Sequence, residues 1–361
     1  MSFNIVSDIK VIGGEFSIPI SLLIKYSNSN ADTYLYNNYL FFSSGRNALF
    51  HILKDISQED TSEFNEIFIP NYICNSVVST INDARWKLSY YNLDSNFRVD
   101  INDVTLIKRI KVLLLVDYFG CVDLSSDISE IRRINKDIII ADCVQSFFKL
   151  DLYESDYSFT SLRKMCEIPL CSIARKNKNS PFYKSNQFLN SKIDLTLNSS
   201  NGRWYEYKLL GNLLKSFPSI FSDKCILNLL KHGEYLLDRD IQHDMAVPSY
   251  LLNMLNFVDF NSIKRKRKSN ASLLHKELSR LNIKHLFNDN SVPLFVPIFI
   301  KNRDKVREKM FENNIFTPIH WSVQSSTCSK IVETELSLIC DQRYTEDDLL
   351  KQISILEKFE K

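Results

Sequence analysis

Glycine is scarce, with 7 in 361 residues. A collagen-like or glycine-rich low-complexity chain is excluded. Each glycine that remains carries more weight, because the residue serves where the backbone needs unusual freedom. The eight cysteines, Cys74, Cys121, Cys143, Cys166, Cys171, Cys225, Cys328 and Cys340, include no C-x-x-C pair. Zinc-ligand and thioredoxin patterns are therefore missing, and no metal site is expected. Several of these cysteines sit in apolar runs, so free thiols in a reducing compartment are expected. An excess of one charge is lacking too. There are 45 Lys and Arg against 43 Asp and Glu, a net charge of +2. That balance makes no long-range field for nucleic acid or acidic lipid, and neither partner is expected. The one basic run, Lys264–Lys268 (KRKRK), reads as the solvated face of a long helix. Met1–Lys10 has no basic stretch followed by an apolar one, so it does not read as a signal peptide. The longest apolar runs, Val112–Val116 and Val292–Ile300, fall far short of the roughly 20 residues of a membrane-spanning helix. The expected location is cytoplasmic.

What is present is an alternation. Glu66–Pro70, Leu88–Leu93, Val112–Phe119, Asp137–Ala141, Tyr157–Leu162 and Ile168–Ala174 read as strands. Cys74–Asn82 and Ser125–Asn135 show apolar residues at helical spacing. Strand–helix–strand order predicts crossover connections and a mainly parallel sheet covered on both faces. In such sheets ligands bind at the carboxyl ends of the strands. After about residue 200 the texture changes. Trp204–Leu214, Lys224–Arg239, Asn261–Leu281, Arg303–Asn313 and Thr345–Phe359 read as helices, with a single strand at Val292–Ile300. The expected fold class is α/β. Residues 1–200 form a large α/β domain, with the first forty or so residues packing on it or on the smaller lobe. Residues 201–361 form linker helices and a smaller α+β domain. The polar stretch Lys176–Asn201 reads as a loop or linker.

Four clusters could carry chemistry. Ser44, Gly45 and Arg46 open a helix, where free backbone N–H groups and the helix dipole favour a phosphate; the plain alternative is an N-cap serine. Asp142 follows the strand 137–141, with Gln145 one turn on. It is placed to pair with a protonated ring nitrogen, or merely to cap the next turn. Lys164 closes the segment Ser158–Lys164 (SFTSLRK). A partly desolvated lysine has a lowered pKa and becomes a nucleophile, whereas most single lysines lie on the surface. His320-Trp321 lines a pocket or packs in the core.

In this order the segments resemble the DegT/DnrJ/StrS-type sugar-nucleotide aminotransferases, which are fold type I pyridoxal-phosphate (PLP) enzymes. Ser44–Leu49 is similar to that family's phosphate turn, and Phe68–Val77 (FIPNYICNSV) to its strand and turn. Val116–Cys121 (VDYFGC) and Ile140–Ser146 (IADCVQS) resemble two strand ends. Tyr157–Lys164 (YSFTSLRK) resembles the stretch around the lysine. Leu294–Trp321 and Leu338–Tyr344 (LICDQRY) resemble the closing region. The likeness spans roughly residues 41–356.

The resemblance implies that Lys164 carries PLP covalently and that Asp142 binds the ring nitrogen, keeping the ring an electron sink. Gln145 would lie beside the ring hydroxyl. Ser44, Gly45 and Arg46 would cradle the phosphate, helped by Ser161 rather than Ser158. Cys74 would cover the cofactor face. Tyr118, His320 and Trp321 would meet the substrate. The implied activity transfers an amino group, from glutamate, to a nucleotide-linked keto-sugar for polysaccharide or unusual-sugar synthesis. Homodimers are implied as well. Two departures stand out. The family's phosphate serine commonly sits five residues before the lysine, where Phe159 stands here. Its glycine pair after the lysine is missing from Cys166–Ser172. Two other readings therefore compete: a catalytically silent homologue acting as a binding or partner subunit, and a keto-sugar dehydratase. In the dehydratase branch histidine replaces the lysine, so Lys164 favours transamination.

Overall fold

A computed structural model describes residues 10–27, 39–59, 66–100, 112–134, 137–169, 171–180, 204–217, 220–239, 247, 249–321 and 329–359. Cys328 and most of the expected loop, residues 181–201, lie outside the described residues. Short apolar runs make the strands: β1 (Ile12–Gly13), β2 (Leu40–Phe42), β3 (Glu66–Pro70), β4 (Lys87–Tyr91), β5 (Val112–Val116), β6 (Ile138–Asp142), β7 (Tyr157–Ser161) and β8 (Ser172–Lys176). β2 to β8 form one seven-stranded sheet in the order β2-β8-β7-β6-β5-β3-β4. β3 to β7 run parallel, β8 is antiparallel to β7, and β2 is antiparallel to β8. All five residues of β5 (VLLLV) and of β6 (IIIAD) are buried. Near-continuous apolar sequence is what strands covered on both faces require.

The helices of this part are α1 (Ile20–Ser27), α2 (Gly45–Glu59), α3 (Asn75–Asp83) and α4 (Ser125–Ile134). α2 buries Ala48, Leu49, Ile52, Leu53 and Ile56, a stripe at helical spacing. It packs on β7, β8 and α3. Each buried Leu or Ile of that stripe contributes about 1.5–3 kcal/mol. This packing fixes the start of α2 beside the ends of β6 and β7, where the site lies.

The run Val112–Phe119 does not continue as one strand. β5 stops at Val116, and Tyr118–Gly120 make a short 3-10 turn with φ +59° at Phe119 and +76° at Gly120. A Cβ on Gly120 would stand 2.5 Å from the Gln145 carbonyl oxygen. This scarce glycine is therefore needed both for its φ and for a close backbone approach. Gly120→Ala is expected to cost at least about 1–3 kcal/mol from backbone strain alone, with the clash in addition. A thermal melt measures it, and an unchanged midpoint would show that the turn relaxes freely. The strand expected at Ile168–Ala174 begins later, at Ser172. Leu162–Lys164 form a 3-10 turn instead, and Pro169 has no N–H to give to a ladder.

The remaining helices are α5 (Trp204–Leu214), α6 (Asp223–Leu237), α7 (Ser249–Leu255), α8 (Phe260–Arg280), α9 (Arg303–Glu312), α10 (Ser329–Thr334) and α11 (Glu346–Leu356). The remaining strands are β9 (Phe295–Phe299), β10 (Ile315–Phe316) and β11 (Glu335–Ile339). Trp204, Leu237, Leu251 and Ile263 still belong to the core of the large sheet. A second core gathers Leu274 and Leu278 of α8, Val296 and Ile298 of β9, Leu336 and Leu338 of β11, and Leu349 and Ile353 of α11. β9 and β11 pair antiparallel. β1 pairs with β10, which brings Ile12 into this second core. Among the described residues no helix is long and apolar enough to cross a membrane.

The basic run corrects one expectation. Lys264 and Arg265 are exposed, but Arg267 is wholly buried. It stands four residues after Ile263 and four before Ala271, both buried, so the helical period places it on the inward face. Its Nε donates to Gln342 Oε1 at 2.9 Å, and its Nη1 to the carbonyls of Pro293 and Leu294, both at 3.2 Å.

Candidate active site

The carboxyl ends of β6 and β7 and the starts of α2 and α3 surround a cavity of about 250 Å³. Asp142 enters it as the last residue of β6, in register with Val116 of β5 and Phe159 of β7. Lys164 enters from the 3-10 turn that follows β7. The parallel sheet thus brings together two residues 22 positions apart in sequence. Ser44, Gly45, Arg46, Cys74, Gln145, Ser161 and Trp321 line the same cavity.

Electrostatics match the geometry. Burial pushes the Asp142 carboxyl up to about 6, partly offset by the Val144 N–H that its Oδ1 accepts at 2.9 Å and by the Lys164 charge. Burial likewise lowers the Lys164 amine, against the pull of Cys74 and Asp142. Each group is poorly solvated in its charged form and attracted to the other. A lysine of this kind is available as a neutral nucleophile.

The other expected residues sort themselves. The Ser44 hydroxyl accepts the Asn47 N–H at 3.2 Å, so its side chain serves as the N-cap of α2. The phosphate donors left at this end are the first backbone N–H groups of α2. A Cβ on Gly45 would project to 3.7 Å from Val144 and 3.8 Å from Ser161, on the cavity side. The Arg46 guanidinium turns to Asp238 on the surface, with Glu234 3.8 Å away. Its head group is therefore already paired. Ser161 lines the cavity while Ser158 does not; Ser158 is bonded to Ser155 at 2.9 Å. Cys74 sits before α3 with its Sγ 3.0 Å from Ser76 Oγ. Gln145 Oε1 accepts the Phe119 N–H at 2.6 Å, and its buried Nε2 has no partner among the described residues. Native structures rarely leave such a donor unused without a ligand or water to receive it.

Tyr118 is a correction. It is buried behind the cavity wall, stacked on Tyr72, with its hydroxyl given to the Tyr72 carbonyl. The turn at Phe119–Gly120 directs it inward. His320 packs edge-on against Trp321 but lines a neighbouring cavity of about 380 Å³ that shares Lys164 and Arg163 with the first. Where the family glycines are missing, Cys171 adopts φ +139°. That region favours glycine, so the unusual backbone is kept without the residue that makes it easy.

Sequence reasoning missed Arg163 and Glu234. Both line the first cavity and pair through two contacts of 2.9 and 3.2 Å. Lys208 reaches the same carboxylate at 2.7 Å and Glu15 at 2.6 Å. Burial works against the Glu234 charge, yet Arg163 and Lys208 outweigh it and hold the carboxyl far below the usual range. Arg163 was visible as the neighbour of Lys164. Glu234 lies in the last turn of α6, 71 residues from its partner, with no local signal.

These residues fit PLP. An amine and a buried carboxylate share one cavity, a helix N-terminus flanks it, and an unused amide donor faces the same region.

No family model matches the chain, and no curated protein matches it. Solved structures do. Helicobacter pylori PseC, an aminotransferase involved in pseudoaminic acid biosynthesis, is 12% identical at a TM-score of 0.65, over 97% of this chain and 100% of that one. A Streptococcus pneumoniae protein described as a sugar aminotransferase, in its PLP form, is 12% identical at 0.64, over 97% and 99%. A DegT DnrJ EryC1 StrS aminotransferase from Brucella abortus is 12% identical at 0.60, over 94% of each chain. At these identities the likeness shows the fold. The chain has the architecture of the fold type I PLP-dependent transferases, as the sequence resemblance implies.

Proposed function

We propose that this protein is a PLP-dependent sugar aminotransferase. The observation that carries the reading is the joint placement of Lys164 and Asp142 on one cavity at the carboxyl ends of β6 and β7. When bound there, PLP supplies the electron sink that lets the C–H bond beside the donor nitrogen ionise. Lys164 would hold the cofactor, and its amine, neutral when desolvated, would be the group placed to take up and return a proton. Asp142 would hold the ring nitrogen, and burial would make such a charge pair stronger than in water. The first N–H groups of α2 and the Ser161 hydroxyl would hold the phosphate, and Gln145 Nε2 would be a donor for the ring. Trp321 and Cys74 close the faces and exclude water. The Arg163–Glu234–Lys208 network holds the lysine turn against α5 and α6.

The finer reading is that glutamate donates the amino group and a nucleotide-linked keto-sugar receives it. A cytoplasmic homodimer and a role in surface polysaccharide or unusual-sugar synthesis complete the proposal. The test is reduction of the purified protein with borohydride, then mass spectrometry. A single pyridoxyl adduct on Lys164 is expected, followed by turnover of a keto-sugar nucleotide with glutamate. A colourless protein that takes no adduct from added PLP would favour the silent homologue.

A further inference from the structure

We infer that His320 is a second proton-transfer group of this site, locked in one tautomer by Ser337 and Glu335. The inference deepens the proposed aminotransferase reading and rests on it. His320 and Lys164 both line the cavity of about 380 Å³, with Arg163, Phe295, Asp341 and Arg343. Behind His320 stands a carboxylate with no access to water: Glu335, the first residue of β11, is 0% exposed. Its Oε2 accepts the His320 backbone N–H at 2.8 Å, and its Oε1 accepts the Ser337 hydroxyl at 2.7 Å. The same Ser337 oxygen lies 3.0 Å from His320 Nδ1, with Glu335 Oε1 at 3.4 Å.

The hydrogen bonds order as a chain from the ring through the hydroxyl to Glu335. A hydroxyl owns a single proton, and Ser337 gives it to the carboxylate. Ser337 therefore accepts from His320, which carries its proton on Nδ1. Nε2, on the side away from Ser337, is then the ring nitrogen left for proton exchange. The ring is held from three directions, by the edge of Phe119 at 5.2 Å, by Phe295 at 5.2 Å and by Trp321 at 5.5 Å. The Tyr72 hydroxyl fixes the His320 carbonyl at 3.1 Å. A carboxylate that orients, through one ring nitrogen, an imidazole lining a cavity with Lys164 is an arrangement suited to proton transfer.

The proposed reaction has a step that needs such a group. When the amino donor leaves as a ketone, its carbon exchanges a nitrogen partner for the oxygen of water. Nε2 takes one proton from water as that oxygen bonds to the carbon and passes it to the nitrogen; it then takes the second from the new hydroxyl and delivers it to the nitrogen as the carbonyl forms and the carbon–nitrogen bond breaks. Both water protons end on nitrogen, and no other reactant is consumed. In amination of the keto-substrate the same nitrogen supplies a proton to the departing oxygen. Ser337 and Glu335 are positioning residues in this scheme.

Two readouts test it. Nitrogen-15 NMR of the purified protein should show His320 only as the Nδ1–H tautomer, and Ser337→Ala should yield a tautomer mixture. In single turnovers of the holoenzyme with L-glutamate, His320→Gln should slow the reaction by about 10²–10⁴-fold, with glutamate affinity changed far less. Ser337→Ala should show a smaller loss in the same direction. Wild-type rates in His320→Gln, or an Nε2–H tautomer in the wild-type protein, overturn the inference. A wild-type protein without the Lys164 adduct overturns the proposed function instead, and the NMR measurement still decides the tautomer.

Discussion

Lys164→Ala is expected to abolish turnover and to leave a protein with no borohydride-stable pyridoxyl adduct. The residue is assigned two duties, covalent anchor and proton carrier. General acid–base work alone is worth about 10²–10⁴-fold, so a loss of about 10⁴-fold or more is expected. Lys164→Arg should lose as much, because a guanidinium keeps the charge but does not become a neutral nucleophile. Burial already disfavours the charged amine, so neither the fold nor the melting temperature of the alanine variant should suffer. Loss of activity with an unchanged melt separates chemistry from collapse. An adduct on another lysine, or turnover within tenfold of wild type, would end the assignment.

Asp142→Ala should lower turnover by about 10²–10³-fold, the scale expected when a preorganised electrostatic partner of the reacting system is removed. Asp142→Asn adds a signature that activity does not report. Burial lifts this carboxyl from 3.8 to about 6 in the chain without cofactor. The folded state then holds the proton more tightly than the unfolded chain does. The group's stabilising contribution is complete below about pH 4 and is lost as the pH rises through about 6. The stability difference between wild type and Asp142→Asn should therefore shift against the wild type between those values, by up to about 3 kcal/mol. Denaturant melts across that range measure it. A difference that does not vary with pH would mean that the carboxylate is solvated and unsuited to hold a ring nitrogen.

The primary structure, read alone, determined the α/β class and the places where polar groups end apolar strands. Asp137–Asp142 and Tyr157–Lys164 were legible because buried parallel strands need unbroken apolar runs, and the first polar residues after them fall on one edge of the sheet. That edge is where Asp142 and Lys164 meet. Between the two candidate serines the sequence favours Ser161, and the structure puts Ser161 on the cavity while Ser158 bonds to Ser155. Tertiary structure alone decided that Arg267 is core rather than surface, and that Tyr118 stands behind the wall. The partners of these groups are distant in sequence: Glu234 for Arg163, and Glu335 and Ser337 for His320. Local pattern follows from backbone geometry and the hydrophobic effect, which act along the chain. Charge pairing and hydrogen-bond direction depend on which groups folding brings within about 3 Å, and no run of neighbouring residues encodes that distance.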